Sequence, residues 1–304
     1  MNLTNRCFCL TALLLTVSLP VHAQSLSASV EGGGFFSVYG QTPDIIDLSD
    51  RQVIDPAQNG DAAFANGKDY SYSARASAGF GWLRAAAISE SQSFTNGYMQ
   101  GFAEGRGEWA DTLLFTPTDP ALIGTTGSFS STLITGGIML VNSSFLADAS
   151  ASVIVGVEWE SGTNITTFQR YQSVSSVGGI ETPPEGDLSL LLNMEVPFIW
   201  GLPSTVRTIL RVAASSATSE GSNAQSGRSS ADYGNTSTWG GISQVRESVG
   251  GAATTAYSLS SGSGANYRNA ITAPAVVPES SSVTLLAVTA VGATLIRRRY
   301  RRKR

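Results

Sequence analysis

Glu158-Trp159-Glu160 is the stretch of this chain best suited to chemistry. In a strand, residues two apart share a face, so the two carboxylates would stand side by side with Trp159 on the opposite face. Carboxyl pairs about 5 to 9 Å apart are the working parts of glycosidases. The same alternation also describes an outward acidic face over a core tryptophan. No Glu-x-Asp-x-x-Glu spacing extends the pair, so the inert reading is preferred and no catalytic residue is assigned. Trp82, Trp109, Trp159, Trp200 and Trp239 offer a second kind of chemistry, stacking on the apolar faces of sugars. Tryptophan in an all-β domain usually fills the core instead. A third candidate is the segment Gln41 to Asp69, which reads as a long loop with Asp44, Asp47, Asp50, Asp55, Asp61 and Asp69. Carboxylates on a loop can ligate calcium through oxygen. The spacing is not that of an EF-hand and a solvated acidic loop is the simpler reading, so no metal or cofactor is assigned.

The chemistry that is missing is more informative. Met1 to Ala23 carries one charge, Arg6, then an apolar run from Phe8 to Leu19 and the small-residue exit Val21-His22-Ala23. This is the pattern of a secretory signal peptide, with cleavage between Ala23 and Gln24. Both cysteines, Cys7 and Cys9, and the single histidine, His22, lie inside it. A mature chain would then have no disulfide, no Ser-His-Asp triad, no Cys-His pair and no Cys/His zinc site. The region between the signal and the terminal basic block keeps 11 basic residues against 23 acidic ones, a net charge near −12. Such a body has little with which to neutralise phosphates, so nucleic acid is not expected as a partner.

The last 28 residues carry a three-part pattern. Val277-Pro278-Glu279 and three serines precede an uncharged run from Val283 to Ile296, with Leu285, Leu286, Val288, Val291 and Leu295 as its bulkier apolar members. A basic block follows: Arg297, Arg298, Arg299, Arg301, Arg302, Lys303 and Arg304. Fourteen helical residues reach roughly 21 Å against about 30 Å of hydrocarbon, a short span that snorkelling arginines can lengthen. Positive charge after a span marks its cytoplasmic end, so the body is expected outside. This tail resembles the PEP-CTERM sorting signal of bacterial exported proteins, with Ser280 where the family's second proline is usual. The resemblance implies an exosortase as processing partner and removal of the anchor near Pro278-Glu279.

The elements between the two signals read as strands. Tyr70 to Ala78 alternates strictly, and Ser25 to Glu31 and Phe35 to Tyr39 form two runs with Gly32-Gly33-Gly34 as a turn between them. Further strands are predicted at 81–89, 98–104, 111–116, 128–141, 150–160, 164–173, 188–199, 205–214, 236–245, 254–259 and 266–272. Gly136-Gly137 splits the run 128–141, as a bulge or as a hairpin turn. Ala85 to Ser91 and Ala147 to Ala151 could instead form helical turns. Ser215 to Ser230 reads as a Ser/Gly/Ala-rich loop. A second resemblance is carried by Val196-Pro197-Phe198 with Gly201-Leu202-Pro203, by Ala231-Asp232-Tyr233-Gly234-Asn235-Thr236, by Trp239-Gly240-Gly241-Ile242 and by Ser260 to Tyr267. These are similar to the C-terminal strands of many β-rich PEP-CTERM bodies, where the Asp-Tyr-Gly-Asn segment would feed a strand through a turn.

The expected architecture is all-β: a single two-sheet, sandwich or jelly-roll-like domain over 24–272, between a signal peptide (1–23) and a linker with sorting motif (273–282). A transmembrane helix (283–296) and a cytoplasmic basic tail (297–304) complete it. The expected function is that of an exported, non-enzymatic cell-surface or matrix protein, associated with biofilm or extracellular polysaccharide. It begins as an inner-membrane-anchored precursor and ends at the surface or outside the cell. A lectin-like surface protein with weak glycoside-hydrolase character is the alternative.

Overall fold

The computed structural model describes residues 24–38, 50–54, 62–66, 71–93, 97–182, 184–186, 191–218 and 225–274. Sixteen strands make up most of it: β1 (Ser25–Val38), β2 (Asp50–Ile54), β3 (Ala62–Asn66), β4 (Ser71–Gly79), β5 (Trp82–Ser93), β6 (Gly97–Pro117), β7 (Thr126–Thr135) and β8 (Ile138–Ser143). The rest are β9 (Ala147–Ser161), β10 (Asn164–Val177), β11 (Ile180–Glu181), β12 (Glu185–Gly186), β13 (Leu191–Ile199), β14 (Pro203–Thr218), β15 (Gln225–Arg246) and β16 (Tyr257–Ser261). They form a β-sandwich of two antiparallel sheets. One runs β11-β10-β9-β14-β6-β1-β2, with β12 on β10 and β16 on β6; the other runs β13-β7-β15-β5-β4-β3, with β8 on β15. Among the described residues no helix is long and apolar enough to cross a membrane; 283–296 lies outside them.

Period-two alternation decides which face is buried. On β9, alternate residues from Ala147 to Trp159 point into the sandwich, while Asp148, Ser150, Glu158 and Glu160 point out. β14 does the same, with Val206, Leu210 and Val212 inside and Arg207 and Arg211 outside. The core between the sheets is tapered. At one end it is aromatic: Phe115 stacks on Phe198 at 4.1 Å, Phe129 meets Trp159 edge-on at 4.9 Å, and Trp109, Trp239 and Tyr267 pack mutually. Towards the other it is built of Ala, Gly and Ser. A Cβ on Gly105 would stand 2.6 Å from the Arg75 carbonyl oxygen in the facing sheet, and one on Gly227 2.6 Å from that of Asp148.

This close approach corrects several expectations. Gly32-Gly33-Gly34 is not a turn; β1 runs through it, and Gly32 is small because the Tyr72 ring lies where its Cβ would be. The predicted runs 98–104 and 111–116 are one strand, β6, whose Gly101, Gly105 and Gly107 face the other sheet. Ala85–Ser91 and Ala147–Ala151 are strand, not helical turns. The expected loop 41–69 holds β2 and β3. The ends of the expected loop 215–230 are strand too, belonging to β14 and β15.

Residues 266–272 form no strand. After β16 the chain straps the aromatic end. Trp239 Nε1 donates to the Tyr267 carbonyl at 3.0 Å, and the Ile271 N–H donates to the Trp239 carbonyl at 2.8 Å. Asp111, buried on β6, accepts from the Thr112 and Ser263 N–H groups at 2.8 and 3.0 Å and from the Ser263 hydroxyl. Arg84 donates to the Pro274 carbonyl, so fold contacts reach that residue.

If inter-sheet contact at β6 sets the fold, Gly105→Val should destabilise the body by about 1–3 kcal/mol through overpacking. Gly156→Ala, on the outer face of β9 with its nearest neighbour atom 3.5 Å away, should be neutral or stabilising. Urea unfolding followed by circular dichroism measures both.

Candidate functional site

The structure separates the tryptophans from the surface. All five are 4% exposed or less, so none offers a ring to a sugar outside the fold. Trp159 sits in the core with Glu158 and Glu160 on the outer face, as β9 alternation requires. There the carboxylates face a ladder of charge. Register places Glu158 opposite Arg207 on β14, whose Nη1 is 3.9 Å from Glu158 Oε1 and whose Nε is 2.9 Å from Glu108 Oε1. Arg211 holds Glu104 through two hydrogen bonds of 2.7 and 2.6 Å, and that bonding raises the Arg211 pKa. Arg106 adds a bond to Glu108 at 2.9 Å. The face is a solvated network of alternating sign.

A cleft lies elsewhere, at the Gly136-Gly137 break. β7 and β8 do not pair with each other, so the break is not a hairpin; both lie antiparallel to the same strand, β15. Thr135 opposes Ser237 and Ile138 opposes Asp232, so two residues, Gly136 and Gly137, face four, Tyr233 to Thr236. The Asp-Tyr-Gly-Asn segment is therefore a bulge inside β15 rather than a turn that feeds it. A Cβ on Gly137 would fall 2.3 Å from the Tyr233 ring, so glycine is what lets the ring lie against the backbone at the break.

The resulting cleft has a volume of about 320 Å³ and lies between the two sheets. Met139 and Val174 supply apolar wall, and Gln172 and Glu181 supply an amide and a carboxylate from the β10–β11 side. Tyr233 lines it at 2% exposure. Burial pushes the Tyr233 phenol up to about 12, so it stays a proton donor at physiological pH. Sequence reasoning did not assemble this group. Gly136-Gly137 and Tyr233 were visible as irregularities, but only the shared pairing with β15 brings them together, and Gln172 and Glu181 join from the other sheet.

Gln24, the first residue after the predicted signal cleavage, is exposed beside Gly262. Ala23, the expected sorting motif Val277-Pro278-Glu279, the expected anchor 283–296 and the basic block 297–304 lie outside the described residues, as do Asp44, Asp47, Asp55, Asp61 and Asp69 of the acidic segment. Among the described residues no group of three or more His, Cys, Asp or Glu could hold a metal ion.

No protein-family model and no curated protein matches this chain. Among solved structures, one from work on the promiscuous specificity of carbohydrate-binding modules of the β-sandwich superfamily aligns at 10% identity over 72% of this chain and 86% of that one. Its TM-score is 0.13, too low to bear on fold or ligand.

The two carboxylates and the tryptophan should separate cleanly in stability. Glu158→Gln with Glu160→Gln should change it by less than about 1 kcal/mol, as exposed ion pairs do. Trp159→Ala should cost about 3–5 kcal/mol by opening a core cavity. Chemical denaturation of the three proteins measures this.

Proposed function

We propose that this chain is an exported, non-enzymatic protein of the cell surface or extracellular matrix, delivered by a C-terminal exosortase sorting signal. The observation that carries this reading is the order of the tail: Val277-Pro278-Glu279, the uncharged run 283–296, then seven positive charges. The apolar N-terminus ending at Ala23 supports it independently. In this scheme the precursor is held in the inner membrane by its C-terminal helix, with the body outside. An exosortase then removes the tail, and the acidic sandwich enters the surface layer or a polysaccharide-rich matrix.

The fold is compatible with both steps. Pro274 is exposed and is the last described residue, with two residues between it and Val277. Processing at the motif would leave the strap and its contacts in place. The mature body would hold neither cysteine nor histidine, which limits nucleophilic chemistry.

Intact-mass measurement with cell fractionation tests the reading, using wild type and a Pro278→Ala/Glu279→Ala variant. The expected wild-type product lacks both ends and is found beyond the inner membrane, while the variant is retained there. A wild-type mass that still includes residues 283–304 would replace the sorting signal with a permanent anchor.

A further inference from the structure

The cleft at the β7–β8 break has the composition of a binding site that the sorting signal does not account for. We propose that it takes one neutral sugar residue, held between Gln172, Glu181 and the Tyr233 hydroxyl. This goes beyond the proposed delivery route and stands or falls apart from it.

Four observations carry the assignment. The volume, about 320 Å³, is at the lower end of small-molecule clefts and suits one ring rather than a long ligand. Tyr233 lines the cleft and is almost fully buried, and its phenol can both donate and accept a hydrogen bond. Gln172 both donates and accepts, and the Glu181 carboxylate accepts strongly from hydroxyl groups. Met139 and Val174 offer apolar surface to the C–H face of a ring.

The charge of the lining narrows the ligand further. No Lys or Arg is among the residues that line the cleft, and Glu181 would repel an anion. Phosphorylated, sulfated and uronic sugars are therefore disfavoured, and neutral hexoses and N-acetylhexosamines fit. Recognition here needs no exposed tryptophan, which removes the objection that tryptophan burial raises against sugar binding.

The two glycines have different duties, and that supplies the test. Gly137 must remain glycine to seat Tyr233. Gly136 has no atom within 4 Å of the position its Cβ would take and no positive φ, so a side chain there meets open space. Gly136→Leu should fill the mouth without disturbing the fold.

Calorimetric titration of the purified full-length chain with glucose, galactose, mannose, N-acetylglucosamine and glucuronic acid is the experiment. Circular dichroism confirms that each variant is folded. At least one neutral sugar should bind saturably, and glucuronic acid should not. Binding should weaken about tenfold in Gln172→Ala and in Tyr233→Phe, the loss of roughly one hydrogen bond, and disappear in Gly136→Leu. If no neutral sugar binds at its solubility limit, the proposal is overturned. Binding that survives Gly136→Leu would place the sugar elsewhere and overturn it equally. Preference for glucuronic acid would contradict the charge argument.

Discussion

At Gly105 the backbones of the two sheets come so close that no side chain fits between them. The Arg75 and Ala86 carbonyl oxygens stand 2.6 and 3.0 Å from where a Cβ would be. Sheets packed face to face usually lie about 10 Å apart with interdigitating side chains. Here glycine stands where an interdigitating side chain would be. Glycine on β6 and alanine on β4 and β5 let the sheets converge, and the tryptophans and phenylalanines keep them apart at the far end. Buried hydroxyls bridge the thin part: Ser89 and Ser216 meet at 2.9 Å across the two sheets. The high content of small residues is thus a geometric requirement of the body.

The taper also explains the strap. A sandwich that widens towards one end exposes its largest rings there unless something covers them. Residues 262–274 do so, with Tyr267 at 5.5 Å from Trp109 and the Asp111 carboxylate pinning the turn at Ser263. Burial raises the Tyr267 phenol first, and the neighbouring Asp111 raises it further, so the hydroxyl stays neutral beside the carboxylate. The same segment is the last part of the body before the tail. A pull on the tail would act on the cover of the aromatic core and not on a loose terminus.

Much of this was legible in the residues. Alternation marked β4 and β9 closely, and placed Trp159 inside with its two glutamates outside. The all-β, two-sheet character followed from the many short alternating runs. What misled was glycine. In isolation, Gly32-Gly33-Gly34 reads as a turn and Gly105 to Gly107 as a gap, because local sequence does not say that another sheet's backbone will pass overhead. Serine misled in the same way: Ser215 to Ser230 resembles a loop, yet Ser216 and Ser229 are core positions in two long strands. The cleft was beyond reach for a different reason. Gln172 and Tyr233 are 61 positions apart, in different sheets, and only long-range register makes them neighbours.

The account joins a self-contained sandwich to a tail proposed to serve delivery. Its central claim is that the two parts are separable just after Pro274. A chain ending at Pro274, expressed with its N-terminus intact, tests this most directly by cell fractionation and circular dichroism. The account predicts a folded, strand-rich protein, exported and free of the inner membrane. A truncated chain that unfolds, or that stays membrane-bound without residues 275–304, would contradict it.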